Sequence, residues 1–475
     1  MGAVSRRGFL AATSGLVLGA GVVSAQAAQR HNSVVLMSDE HNPFYSSVYG
    51  HSMVHTPNMA RLAAMGTVFE NTYCPSPLCM PCRSSLMSGQ RVHAIQAYNN
   101  CNVFRSDART MADAMGEQGV YTVLCGKTDV FRPGEELGFN ETFSIKNRAM
   151  PGDENVSRMP LAIRLDGPDR ADAWGPKDKN PFGGDDKIVD AAVEWLKTRA
   201  KQIDGPWSLL VHTLKPHFPH HVTQALWDRY PEGGDMPVYG REEVSASHPY
   251  ASDLREHFRT NDFSEENIRG LRRGYLGCVT YTDSLIGRLL DALEQEGLME
   301  STVFAYASDH GDMAGKFGMW WKCSLYEDSA RVPLLMAGPG FAKGVRVTTP
   351  VDLHDMRASL FAAAGATQPG DWIGSPLQSI APADATRVAF SEYHGHGTRG
   401  SGYLIRQGDW KLQYCTRAPH QLFNLAEDPH ELRNVAMSNV SKRNELIDAL
   451  RAICEPEAEE VRAGAYIQQQ LAAMR

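Results

Sequence analysis

Two stretches, Val34-Val35-Leu36-Met37-Ser38-Asp39 and Val303-Phe304-Ala305-Tyr306-Ala307-Ser308-Asp309, decide the fold: each is an apolar run that ends on an acid. A short run with no polar alternation reads as a strand buried on both faces, the habit of parallel sheets. Helical patterns lie between and around these strands. Pro57–Met65 follows Thr56 as N-cap and stops at Gly66, and a helix over 110–118 ends at Gly119 before a strand at Tyr121–Cys125. A further helix, about Asp185 to Ala200, precedes a strand at Trp207–Val211. The longest helix follows Ser264, with Ile268, Leu271, Tyr275, Cys278, Leu285, Ile286 and Leu289 at helical spacing. Alternating strands and helices predict an α/β fold: a large mixed, mainly parallel sheet flanked by helices on both faces. Ligands of such sheets bind beyond the carboxyl ends of the strands, where Asp39 and Asp309 fall.

From about residue 386 short strands separated by turns (Val388–Glu392, Gly402–Arg406, Trp410–Tyr414) and a final helix predict a smaller antiparallel domain. The expected division is 1–27 as an export signal, 30–385 as the large α/β domain and 386–475 as the small one. The stretch 131–184, rich in Gly, Pro and charge, reads as long surface loops that frame a site.

The 475 residues include 47 Lys plus Arg and 55 Asp plus Glu, for a net charge of -8, with 43% hydrophobic residues. That balance excludes a disordered or repeat-dominated chain and argues against a nucleic-acid partner, which needs a basic face. Arg6-Arg7 precede an apolar run from Leu10 to Ala25, and Ala25-Gln26-Ala27 offers a cleavage site. This is the pattern of a twin-arginine (Tat) signal. It predicts a periplasmic or secreted protein that folds before export, uses the Tat machinery and has no stable membrane insertion. Nine cysteines are an odd number, so at least one lacks an internal partner.

Cys79-Met80-Pro81-Cys82-Arg83-Ser84-Ser85-Leu86-Met87-Ser88-Gly89 is the strongest local motif. C-x-x-C spacing raises a redox pair or half a zinc site, but none of the other seven cysteines forms a second such pair. The C-x-P-x-R stretch resembles the signature of the type I sulfatases of the alkaline phosphatase superfamily. The resemblance extends through Asp39, Gly126-Lys127, Pro216-His217, Ser308-Asp309-His310-Gly311-Asp312, Lys322-Cys323-Ser324-Leu325-Tyr326-Glu327 and Gln421-Leu422-Phe423-Asn424-Leu425, covering about residues 32 to 440.

The resemblance implies that a formylglycine-generating enzyme oxidises Cys79 to formylglycine, whose hydrated aldehyde is the nucleophile. It implies a divalent metal, usually calcium, on Asp39, Asp309, His310 and residue 79, with Glu40 a further candidate. Arg83, one helical turn after Cys79, would orient the nucleophile; Lys127 and Lys322 would hold sulfate oxygens; His217 would be general acid to the leaving oxygen. Many members have a His two positions after the first lysine, where this chain has Asp129. Lys127-Thr128-Asp129, Tyr98-Asn99-Asn100, His248-Pro249 and Ser391–Gly395 resemble arylsulfatase K-like members, which act on 2-sulfated uronates. On that basis Asn99, His248 and His394 are candidate substrate contacts. Ser76-Pro77-Leu78-Cys79 and the 391–395 segment also resemble choline-sulfatases. The expectation is a sulfatase acting on a sulfated small molecule or glycan. The alternatives are a choline-sulfatase, a phosphonate or phosphodiester hydrolase, and a non-catalytic binder of sulfated glycans.

Overall fold

The computed structural model describes residues 30–101, 106–147, 153–231 and 235–474. The expected export signal, 1–27, lies outside the described residues. An eight-stranded sheet forms the centre. Its strands in chain order are β1 (Asn32–Asp39), β2 (Gly66–Phe69), β3 (Tyr121–Lys127), β4 (Glu141–Lys146), β5 (Trp207–Pro216), β6 (Thr302–Ser308), β7 (Leu334–Ala337) and β8 (Val345–Val347). They lie side by side as β8-β2-β7-β6-β1-β5-β3-β4. Only β7 runs against the others, pairing antiparallel with both β2 and β6.

Both faces of the sheet are covered. Along β1, Val34 and Leu36 face one hydrophobic cluster and Val35 and Met37 the other, which is why the run carries no polar alternation. The first cluster packs under helices α1 (Pro57–Met65), α3 (Gly183–Thr198) and α4 (Glu265–Gln295). The second packs under α2 (Cys79–Ser88) and α5 (Leu353–Ala363). The long helix begins with a capping box, Ser264 accepting from the Asn267 amide and Asn267 from the Ser264 amide.

One expectation fails in the stretch 131–184, which is not all loop: Glu141–Lys146 is the edge strand β4, parallel to β3. Its pattern hides it. The β3–β4 register shifts between Cys125 and Lys127, and Ser144 sits at φ +51°. Phe143 and Ile145, two residues apart, therefore pack on opposite clusters, and the period of two is lost.

The C-terminal strands β9 (Val388–Tyr393), β10 (Gly402–Gln407), β11 (Trp410–Cys415) and β12 (Gln421–Asn424) form a separate antiparallel sheet in sequential order. Instead of one final helix there are two, α6 (Val440–Arg451) and α7 (Pro456–Ala473), broken just before Pro456, which takes the first turn of α7. Helix α6 packs Leu446 and Leu450 on this sheet. Helix α7 returns to the large domain, where Gln470 accepts from Asn99 at 2.7 Å.

Candidate active site

Four adjacent parallel strands, β6, β1, β5 and β3, end at one edge. Register pairs Ser38 with Ser308 and Asp39 with Pro216, and Gly126 with His212. Asp39, Asp309, Lys127 and His217 are thereby delivered to the same place by topology, as expected at the carboxyl ends of parallel strands. The last step of β3 needs a glycine. Gly126 adopts φ +97°, and a Cβ there would lie 2.2 Å from the His212 carbonyl.

Cys79 opens helix α2, all ten residues of which are buried. The next amide, that of Met80, is held by the Asn100 side chain at 3.0 Å. The Cys79 Sγ lies 3.3 Å from His310 Nε2 and 4.0 Å from Asp39 Oδ1. Asp39, Cys79, Asp309 and His310 each present one ligand atom within 4.8 Å of the others, and all four are buried. His310 Nδ1 is 3.1 Å from the Gly311 carbonyl; with its hydrogen there, Nε2 is left for a ligand. Burial lowers His310, but the Asp309 carboxylate outweighs it and lifts the imidazole to about 9, so a ligated cation would have to displace the Nε2 proton. Two buried carboxylates, an imidazole and residue 79 form a mainly oxygen donor set that fits a hard divalent cation. Glu40 is not one of that foursome. It turns at φ +68°, so that Oε2 faces Lys322 at 3.4 Å and His217 at 3.3 Å, while the buried Oε1 has no hydrogen-bond partner. Burial pushes its carboxyl up to about 8.

The cations are interleaved with these acids. Arg83 Nε donates to Asp309 at 2.8 Å, and its Nη2 stands 3.6 Å from Asp39 without a hydrogen bond. Lys127 pairs with Asp39 and, at 3.3 Å, with Asp129. Asp129 thus holds a lysine here. Burial by itself raises Asp39, but Lys127, then His217, Lys322 and Arg83, hold the carboxyl well below the usual range. Burial and Asp39 likewise raise the Cys79 thiol, yet Lys127, Lys322 and His310 pull it well below its ordinary value. Lys322 Nζ lies 2.5 Å from His217 Nε2. His217 Nδ1 is 2.7 Å from the Phe218 carbonyl, and burial followed by Lys322 keeps the ring neutral in the ordinary pH range. The arrangement offers Lys127 and Lys322 to an anion beside residue 79, with His217 held against Lys322.

The three expected substrate contacts are engaged elsewhere. Asn99 bridges the Cys101 amide and Gln470. His248 caps the helix Pro249–Phe258 and bonds the Pro419 carbonyl at 2.8 Å. His394 lies fully buried between Glu392 and Ser401, each at 2.8 Å. In this structure each has two hydrogen-bond partners away from the cluster. Conversely, sequence reasoning missed Asn100, Tyr275 and Asp185. Tyr275 donates to the Glu40 carbonyl and accepts from the Asn42 amide. Asp185 accepts from the amides of Leu214 and Lys215, just before His217. Asp312, the last residue of the Ser308 motif, accepts from Ala314 and Trp321 and so closes the loop that presents Lys322.

Comparison with known proteins identifies the family. The sulfatase family profile matches residues 31–366, and the profile of the N-sulphoglucosamine sulphohydrolase C-terminal region matches 315–456. A choline-sulfatase of Rhizobium meliloti is 31% identical, over 85% of this chain and 82% of its own. An arylsulfatase K of Danio rerio is also 31% identical, over 90% of this chain and 84% of its own. Among solved structures, the phosphonate monoester hydrolase of Agrobacterium radiobacter superposes with a TM-score of 0.71 at 21% identity, covering 89% of this chain and 95% of that one. The chain belongs to the sulfatase family of the alkaline phosphatase superfamily and is a sulfuric ester hydrolase.

Proposed function

We propose that the protein is an exported, formylglycine-dependent sulfatase acting on a sulfated carbohydrate, with a 2-sulfated uronate as the sharper assignment. The observation that carries this is the buried meeting of Asp39, Cys79, Asp309 and His310 with Lys127 and Lys322. Once Cys79 is converted, its hydrated aldehyde supplies the nucleophile, and a divalent cation such as calcium on Asp39, Asp309 and His310 supplies charge to the sulfate oxygens.

The chain's own residues do the rest. Lys127 and Lys322 bind sulfate oxygens as buried point charges, where a low dielectric strengthens them. Arg83 fixes Asp309 and faces Asp39, so the acids keep their spacing when substrate enters. His217, oriented by the Phe218 carbonyl and with Nε2 against Lys322, serves as general acid to the leaving oxygen, while Lys322 keeps its charge on the sulfate. An isolated binding role would not call for a thiol at a helix start among three cations.

Peptide mass spectrometry across Cys79, on protein made with a formylglycine-generating enzyme, is expected to show the aldehyde. Sulfate release is expected to exceed cleavage of the matching phosphonate. An unmodified thiol in active protein, or a Cys79→Ala variant that still releases sulfate, would overturn the reading. A choline-sulfatase is the second reading, favoured by the 31% identity to the Rhizobium meliloti enzyme. Export rests on Arg6-Arg7 and the apolar run after them. Among the described residues no helix is long and apolar enough to cross a membrane. Cell fractionation is expected to find the protein outside the cytoplasm, and replacing Arg6 and Arg7 by lysine to retain it inside.

A further inference from the structure

Beside Lys322 and His217 stands a cation that the reaction proposed above does not use. Arg170 lies in the short helix Gly167–Ala171. Its guanidinium carbon is 4.7 Å from the centroid of the Phe218 ring and 5.4 Å from that of Trp321. These rings belong to the residues next to His217 and Lys322. Phe218 is stacked on His217 at 4.3 Å, and Lys322 Nζ lies 5.6 Å from the same Phe218 centroid. Arg170 and Lys322 are thus held around one aromatic ring, no farther apart than their two distances from it combined.

The guanidinium is poorly neutralised. Among the described residues its hydrogen bonding is limited to Nε donating to Asp166 at 2.7 Å, and Asp166 is half exposed, so the pair is weakened by water. The other carboxylate nearby, Asp153, is taken by Arg164 and faces His396. Burial, with Arg164 adding to it, lowers the Arg170 pKa, which marks a charge that the protein leaves short of compensation. The side chain keeps 19% of its surface exposed, and His217 keeps 21%. A fork of donors pinned against aromatic rings suits a planar or tetrahedral anion.

We propose that Arg170 is a specificity-determining residue that binds a second anionic group, a carboxylate or another sulfate, on the same sugar ring as the ester being cleaved. The proposal rests on the sulfatase reading above. It also opposes the choline alternative, because a guanidinium at this position repels a trimethylammonium group.

The test compares glucuronate 2-sulfate, glucose 2,6-disulfate, glucose 2-sulfate and choline sulfate on wild type, Arg170→Gln and Arg170→Lys. Wild type is expected to prefer one of the two dianionic sugars over glucose 2-sulfate by about 10- to 100-fold in kcat/KM. Arg170→Gln is expected to lose most of that ratio and Arg170→Lys to keep part of it. A carboxylate is identified if glucuronate 2-sulfate leads, a second sulfate if the disulfate leads. The proposal is overturned if neither dianion beats glucose 2-sulfate, if Arg170→Gln keeps the wild-type ratio, or if choline sulfate is the best substrate. Release of sulfate from none of the four would sink the sulfatase reading instead. Calorimetric binding of the same sugars to Cys79→Ala and to Cys79→Ala/Arg170→Gln then still decides the role of Arg170. Its loss must weaken the dianions selectively, and equal weakening of glucose 2-sulfate refutes it.

Discussion

The amide of Cys323 donates to the carbonyl of Pro77 at 3.0 Å, so the residue after Lys322 is bonded to the segment that runs into Cys79. Lys322 is flanked by two left-handed residues, Trp321 at φ +63° and Cys323 at φ +75°. A backbone held there in non-glycine residues is strained by about 1–3 kcal/mol per residue and persists because its surroundings over-determine it. Cys323→Pro can neither adopt this φ nor donate, and is expected to abolish sulfate release. Cys323→Gly keeps the amide and accepts the conformation, and should stay within about threefold in kcat/KM. Steady-state kinetics on both variants, with thermal melts to monitor folding, checks the contrast.

Lys322 also sets the state of His217. Burial, then Lys322, keeps the imidazole well below its ordinary value. Lys322→Met removes the second cause, so the His217 pKa must rise, while kcat/KM falls by about 10²–10⁴ through loss of a charge to sulfate and of the contact that orients His217. The His217 ring resonance followed by NMR against pH reports the first effect. An unchanged titration would show that the 2.5 Å contact between the two groups has no electrostatic consequence.

What the sequence reveals here depends on how locally each feature is encoded. Strands β1 and β6 are legible because burial on both faces leaves an unbroken apolar run, and their acids follow directly. Strand β4 is not, because the bulge at Ser144 breaks its alternation. The Cys79, Lys127, His310 and Lys322 positions are legible as motifs, each beside its strand end or loop. Tyr275, Asp185 and Asn100 act on Glu40, Lys215 and Met80 across long or irregular connections, and nothing local distinguishes them from packing residues. Asn99, His248 and His394 lie in suggestive motifs, and only the structure shows that their hydrogen bonds run to Gln470 of α7, to the Pro419 carbonyl, and to Glu392 and Ser401.

Asp185 makes the strand end before His217 sensitive to pH. Burial pushes its carboxyl from 3.8 up to about 6, and the bonds from Leu214 and Lys215 offset only part of that. A folded-state pKa above the unfolded one favours the protonated form. The stabilisation is complete below about 3.8 and is lost as pH rises through about 6. The loss amounts to about 3 kcal/mol at most. Asp185→Asn cannot titrate, so urea midpoints across pH 4–7 should fall more steeply for wild type than for the variant over that interval. The variant also loses one of two acceptors for adjacent amides, and a lower kcat with little change in KM is expected from a misplaced His217.

Removing the cation should affect stability as well as rate. Asp39, Asp309 and His310 are buried together, and Arg83 and Lys127 neutralise the acids from one side. A ligand that binds only the folded state at about 1,000 times its Kd adds about 4 kcal/mol. Chelation is expected to lower the melting temperature and abolish sulfate release, and calcium to restore both. Asp309→Asn should melt low with or without calcium. A melting temperature indifferent to chelator would argue that Arg83 and Lys127 alone hold the acids.

The last prediction concerns the joint between the two sheets. Lys411 on β11 is fully buried and bonds Glu327 at 2.7 Å and Glu431 at 2.8 Å. Burial raises Glu327, but Lys411 first and then Arg331 bring it down to about 2. Glu327 also accepts from Tyr73 at 2.9 Å and lies on the chain just after the Lys322 loop. Lys411→Met keeps the aliphatic volume and leaves two carboxylates facing each other without their shared cation. Breaking a buried ion pair from one side costs about 3–5 kcal/mol, and the urea midpoint should fall accordingly. Adding Glu327→Gln should recover part of the loss, because the Tyr73 hydroxyl still has an acceptor and only one charge remains to be buried. If the double variant is no more stable than Lys411→Met, the lysine acts through packing against Tyr73, whose ring centroid is 5.9 Å from its Nζ, and the charges at this joint are secondary.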